Sequence, residues 1–250
     1  VSMYSDAHLH SSHSPCPDMK SFSDGGLYIS CAAGPDDWQT LLDTKYIVPF
    51  LGLHPERINE NWERLMPQLE KLIEQNPHAG IGECGLDKRF YKTVPKAVQE
   101  KILSRQIEIA EKYRRPVVLH QVGASGALAD FLSDLNPGVP MMIHGFKESS
   151  EILKRYIKLG MYISLGQGSH WDHEDFLKTA RLIPRDKLLL ETDWPYCIPA
   201  SASGTGGDRD HRPSYSDCLS EHYKRVSAKF GIDIPLLSRL VKENGTLFTH

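Results

Sequence analysis

Pro116-Val117-Val118-Leu119-His120 and Pro140-Met141-Met142-Ile143-His144 are two short apolar runs that each end in histidine. Between them, Ala124–Leu135 repeats its apolar residues at helical spacing. Continuous runs of Val, Leu, Ile and Met this short suit strands covered on both faces. Strand, helix and strand of this kind alternate in α/β folds with a parallel sheet. The pattern extends in both directions. Similar runs occupy Ser5–Leu9, Leu27–Ala33, Ile47–Leu53, Gly80–Leu86, Met161–Leu165 and Lys187–Thr192, which makes eight. Helical spacing recurs at Trp62–Ile73, Pro95–Arg114, Glu148–Leu159, Glu174–Leu182, Tyr215–Phe230 and Pro235–Phe248, while Asp36–Leu42 allows about two turns.

Eight strands alternating with helices in 250 residues predict an α/β protein, a (β/α)8 TIM barrel forming a single domain over residues 1–250. An open doubly wound sheet would be expected to carry a glycine-rich loop after an early strand. Here Gly25-Gly26 precedes the second run instead. The stretch Ala200–Asp210 resembles a linker, but it follows the eighth run and reads as a long barrel loop.

Composition removes several classes. Lys and Arg number 29 against 32 Asp and Glu, a net charge of −3, which argues against a large basic nucleic-acid footprint but leaves room for a local one. No apolar run approaches the ~18 residues of a membrane span, and the start lacks the basic-then-apolar pattern of a signal peptide. A cytoplasmic protein with no membrane association and no obligate protein partner is expected. The five cysteines are scattered without a Cys-x-x-Cys pair, so neither a cysteine zinc site nor a disulfide framework is expected.

Histidine stands out, with 12 residues. His8 and His10 close the first strand two residues apart, and so face the same way. Glu83 lies near the end of the fourth run, His120 and His144 end the fifth and sixth, and Asp193 follows the eighth. Six ligand-type side chains therefore converge on the C-terminal mouth, where such barrels place their active sites. Imidazoles and carboxylates suit zinc, manganese and related cations. Six are more than one catalytic ion needs, so two divalent ions (Zn, Mg or Mn) are expected, an arrangement that two-metal hydrolases use. Any one of these side chains could be a hydrogen-bonded structural residue. Six together at one rim would each need a partner, which an apolar core does not supply.

These motifs resemble the TatD family of metal-dependent hydrolases. The similarity rests on Asp6-x-His8-x-His10, Gly52-Leu53-His54-Pro55, Gly82-Glu83-Cys84-Gly85-Leu86-Asp87, the two strand-end histidines, Glu191-Thr192-Asp193 and Asn244-x-x-x-Phe248, in order across nearly the whole chain. The resemblance implies a barrel, divalent-metal hydrolysis and deoxyribonuclease activity, often from the 3′ end. It implies that His8, His10, Glu83, His120, His144 and Asp193 are ligands, with Glu83 bridging the ions. Asp193 would also serve as general base, so Asp193 and Glu83 are the catalytic pair.

Three positions depart from the family pattern: Gln121-Val122 where His-x-Arg is usual, Gly145-Phe146-Lys147 after the sixth strand, and Asp210-His211-Arg212-Pro213 in the eighth loop. Substrate contacts are therefore assigned to His54, Lys147, Arg209 and Arg212. Glu191 is assigned as a partner that orients a ligand histidine, and Asp87 reads as a loop cap. The expected substrate is DNA or a small phosphoester. An amide or lactone hydrolase on the same barrel is the alternative, although Glu83 stands where many such barrels carry a carboxylated lysine. A histidinol-phosphatase-like site would need Asp-x-His at the eighth strand, where Asp193-Trp194-Pro195 stands. A metal-binding barrel without turnover has no need of a base at Asp193.

Overall fold

The computed structural model describes residues 4–13, 17, 22, 25–197 and 213–249. Eight strands run in the order of the chain, each parallel to the next. They are β1 Asp6–Leu9, β2 Tyr28–Cys31, β3 Val48–Leu51, β4 Gly80–Asp87, β5 Val117–Val122, β6 Met141–Ile143, β7 Tyr162–Gly166 and β8 Leu188–Glu191. The ring closes between β8 and β1, where Asp193 N–H donates to His8 O (3.0 Å) and His10 N–H to Trp194 O (2.7 Å). The result is the (β/α)8 barrel that the apolar runs predict.

The helices are α1 Pro35–Asp43, α2 Trp62–Gln75, α3 Lys96–Tyr113, α4 Ser125–Leu135, α5 Ser150–Lys158, α6 Glu174–Ala180, α7 Tyr215–Phe230 and α8 Ile234–Gly245. Their ends follow local chemistry. Ser214 and Asp217 form a reciprocal capping box at the start of α7, and Gly231 ends it at φ 64°. Asp233 caps α8, whose first turn takes Pro235 without losing a needed N–H. Asn244 Nδ2 then donates to Arg185 O (2.7 Å) and Leu188 O (2.8 Å), tying α8 to the start of β8. No helix among the described residues is long and apolar enough to cross a membrane.

Strand residues are buried on both faces almost throughout. The regular pairing breaks at two places, between Asp6 and Leu9 on β1 and between Ile81 and Cys84 on β4. Such irregularities re-aim side chains beside functional sites. They bracket His8 and Glu83. Gly85 lets β4 lie unusually close to β5: at its φ of +155° a Cβ would fall 1.9 Å from His120 O.

Candidate metal centre

Asp6 shows how the site is built. Its buried carboxylate accepts from Thr192 N–H (2.9 Å), Thr192 Oγ1–H (2.6 Å), Tyr215 O–H (3.0 Å) and His8 N–H (3.3 Å). One side chain thereby pins β1, the end of β8 and α7 together. His8, His10 and Asp193 meet as a result. Asp193 adopts φ 55°, a left-handed conformation that aspartate tolerates better than most residues.

The six strand-end side chains lie at the mouth of the barrel. His8 Nε2 is 3.2 Å from His10 Nε2, 3.6 Å from Glu83 Oε2 and 3.6 Å from Asp193 Oδ1. His10 Nε2 is 3.4 Å from Glu83 Oε2 and 3.7 Å from Asp193 Oδ1. On the other side, Glu83 Oε1 is 2.6 Å from His120 Nδ1 and 2.7 Å from His144 Nε2. Ligands around a tetrahedral ion held at about 2.0–2.2 Å stand roughly 3.3–3.6 Å apart. The spacings around His8 and His10 match that figure, so the donor set fits a divalent cation.

Tautomers sharpen this picture. His10 Nδ1 is 2.9 Å from Cys31 O, an acceptor, so Nδ1 carries the proton and Nε2 offers its lone pair to the cluster. His120 Nε2 faces the Asp87 carboxylate at 3.0 Å, leaving Nδ1 on the Glu83 side. His144 Nδ1 is 3.4 Å from Glu191 Oε1, which also accepts from Gly145 N–H at 2.7 Å. Glu191 Oε2 is buried with no partner among the described residues. A bare carboxylate oxygen in such a place calls for a nearby cation.

His54 behaves differently. Its Nδ1 accepts from Glu56 N–H (3.1 Å), so in the neutral ring Nε2 bears the proton, and Nε2 lies 3.8 Å from Glu83 Oε1. Burial lowers its pKa to about 3, which keeps the ring neutral. Groups that could hold an ion are His8 with Glu83 and His144, His8 with His10 and Asp193, and His54 with Asp87 and His120. The third is the poorest, because His120 Nε2 and Asp87 are already bonded to each other and His54 Nε2 is a donor.

Burial alone would raise the Glu83 carboxyl, but His144, His120 and His8 outweigh it and hold it well below the usual range. Burial would likewise lower His144 and His120, yet Glu83 reverses both, with help from Glu191 and Asp87 respectively. Desolvation raises the Asp193 carboxyl, and Glu191 and Glu83 add to the rise. About 35% of its side chain remains open to the cavity, so it can exchange a proton with a bound water.

The cavity above these residues has a volume of about 410 Å³ and is lined among others by His54, Lys147, Asp193 and Tyr196. Lys147 is thus at the mouth, as the sequence predicts, while Arg209 and Arg212 lie outside the described residues. His170 and His173, in the segment after β7, line a neighbouring groove with Lys147.

Asp87 needs correcting from a simple cap. It does accept from Arg89 N–H (2.9 Å), but it also holds His120 and the Arg89 guanidinium, and it is fully buried. Strand alternation from Glu83 through Gly85 to Asp87 was the signal that could have shown this. His13 also lines the cavity. Its ring stacks on His10 with centroids 4.9 Å apart, and it bonds Tyr196 O–H at 2.8 Å and Asp37 Oδ2 at 3.3 Å.

A family model described as TatD related DNase matches residues 6–248. A metal-dependent hydrolase of Buchnera aphidicola subsp. Acyrthosiphon pisum, itself uncharacterized, is 30% identical over 206 residues, covering 79% of this chain and 75% of that protein. A 3′-5′ ssDNA/RNA exonuclease TatD of Dickeya dadantii is 30% identical over 200 residues, covering 77% and 73%. Among solved structures, a TatD homologue from Escherichia coli K12 superposes with a TM-score of 0.82 at 21% identity, covering 98% of this chain and 97% of that one. The last likeness concerns the fold.

Proposed function

The chain belongs to the TatD-related DNase family, and on that premise we propose that it is a divalent-metal-dependent phosphodiesterase that trims DNA at a binuclear centre. The reading treats the 250 residues as one catalytic domain working in the cytoplasm. The observation that carries it is the donor set around Glu83, whose two oxygens face different pairs of imidazoles: Oε2 toward His8 and His10, Oε1 toward His120 and His144. His8, His10 and Asp193 would hold one ion, His120 and His144 the other, with Glu83 between them. Bound ions would polarise a phosphoryl oxygen and bring the pKa of water toward neutrality.

The chain's own groups do the rest. Asp193, open to the cavity and hydrogen-bonded through its N–H to His8 O, accepts the proton of the attacking water. His54 lines the cavity, and its Nε2–H would donate to a non-bridging phosphoryl oxygen without adding charge. Glu191 steadies His144 through Nδ1 and positions the Gly145 N–H. The cavity volume of about 410 Å³ is of the size that takes a single small ligand or nucleotide, which supports reading a strand end as the part of DNA that enters.

One observation favours a second reading. Gln121 spends its amide on Glu148 (2.8 Å) and on Ala124 N–H (3.0 Å), and Val122 beside it carries no charge. The end of β5 therefore offers no cation to a nucleic-acid backbone, which suits a small phosphoester. A metal-supplemented hydrolysis screen over single-stranded DNA, small phosphodiesters, phosphomonoesters, lactones and amides separates these readings. Metal-dependent release of nucleotides from one end of the DNA is the expected result. Activity confined to lactones or amides would overturn the phosphodiesterase reading.

A further inference from the structure

Arg89 follows β4 by two residues and faces the catalytic cavity with His54, His120, Gln121, Val122 and Lys147. Its Nε donates to both oxygens of Asp87 at 3.0 Å, and Nη2 donates to Oδ2 at 2.5 Å. Asp87 is fully buried and is gripped on its other side by His120 Nε2 at 3.0 Å. One edge of the guanidinium is therefore locked in place. Nη1 has no hydrogen-bond acceptor among the described residues, and 60% of the side chain remains exposed. The guanidinium also lies over the Phe90 ring, 5.5 Å from its centroid, which helps to hold it at the cavity edge.

We propose that Arg89 is the anchor for the phosphate next to the scissile one. The inference rests on the phosphodiesterase reading above. A guanidinium presents a planar fork that matches phosphate oxygens, and one that is already fixed loses little entropy on binding. Its position suits a neighbouring phosphate. Glu83, His120, Asp87 and Arg89 form a continuous chain of contacts, so the guanidinium stands one side-chain layer outside the ligand cluster. Asp87 and Val122 are register partners across β4 and β5, which places Arg89 beside the strand end that lacks a cation of its own. Asp87 shares its charge with His120, so the charge of Arg89 is not spent on it entirely.

The test is fluorescence anisotropy with a labelled four-nucleotide oligothymidylate, read over a salt series on the chelated protein so that nothing is cleaved. Arg89→Ala should weaken binding about tenfold or more, since hydrogen bonds to charged groups are among the stronger ones. The slope of log affinity against log salt should flatten by about 0.7, the contribution of one phosphate on a single strand. Arg89→Gln keeps a donor for Asp87 without the charge and should flatten the slope equally. Adding Val122→Arg to Arg89→Ala should restore it.

An unchanged slope in Arg89→Ala and Arg89→Gln overturns the anchor, as does a wild-type chain that does not bind the probe at low salt. Weaker zinc binding by calorimetry with an unchanged slope would show instead that Arg89 merely positions Asp87. The two readings fail separately. A protein that binds the probe through Arg89 but cleaves no phosphodiester when metal is added loses the hydrolase reading and keeps the anchor. Cleavage with binding indifferent to Arg89 does the reverse.

Discussion

Asp193 occupies φ 55°, with its carboxylate turned back over His8 and His10. Asparagine tolerates that backbone region as well as aspartate does, so Asp193→Asn should fold normally. It should lower kcat by about 10²–10⁴, the usual worth of a general base. Turnover close to that of the parent would remove Asp193 from the mechanism, and an unchanged melting temperature of the chelated protein checks the fold. His8, His10, Glu83, His120, His144 and Asp193 were legible as a set because each is a polar residue within or directly after an apolar run. Asp87 and Arg89 were not legible from residue type alone, because a carboxylate and an arginine beside a turn are common without any role. Their meaning depends on which way the strand carries them, and that depends on the irregular pairing between Ile81 and Cys84.

At the scale of elements, polar residues on the helices do work that periodicity does not reveal. Gln99 and Gln106 lie buried on α3. Gln106 clasps both backbone groups of Leu53, the residue before His54 (2.8 and 3.2 Å). Gln99 clasps those of Asp87 (2.8 and 3.1 Å). The apolar stripe of α3 was readable in the sequence, whereas these glutamines look like surface residues until the strand ends are placed beside them. His222 on α7 is similar. It is fully buried, and its Nε2–H donates to Leu165 O on β7 at 2.8 Å. Burial lowers its pKa from 6.5 to about 4, so the folded state keeps the ring neutral while the unfolded chain takes up a proton. Its contribution is complete above pH 6.5 and declines as pH falls toward 4, by about 3 kcal/mol in all. His222→Gln can still donate to Leu165 O but does not titrate. Urea unfolding at pH 7 and pH 5 should show a smaller loss in the variant, by about 2 kcal/mol. Equal losses would mean that His222 does not stay neutral in the fold.

For the whole molecule, the alternation of runs was enough to specify the barrel, because eight parallel strands in chain order leave few ways to bury both faces. How the ring closes was not readable, since it rests on Asp6 drawing Thr192 and Tyr215 to β1. The six ligand-type residues come from β1, β4, β5, β6 and β8 or the turns that follow them, and so lie on both sides of the β8–β1 seam. An ion held by His8, His10 and Asp193 would join chain segments about 185 residues apart and act as a staple across that seam. Metal should therefore stabilise the barrel as well as activate it. At a free concentration a hundred times its dissociation constant, each ion contributes about 2.7 kcal/mol. For a chain of this length that raises the melting temperature by roughly 5–10 °C per ion. Chelation should reverse the gain and speed amide exchange at His10 and Asp193, whose N–H groups close the ring. Calorimetric titration of the chelated protein with zinc or manganese should saturate at two equivalents, and the second should disappear in a His120→Ala, His144→Ala double variant. Saturation at one equivalent in the parent would replace the binuclear centre with a mononuclear one and leave Glu83 as a ligand on one side only.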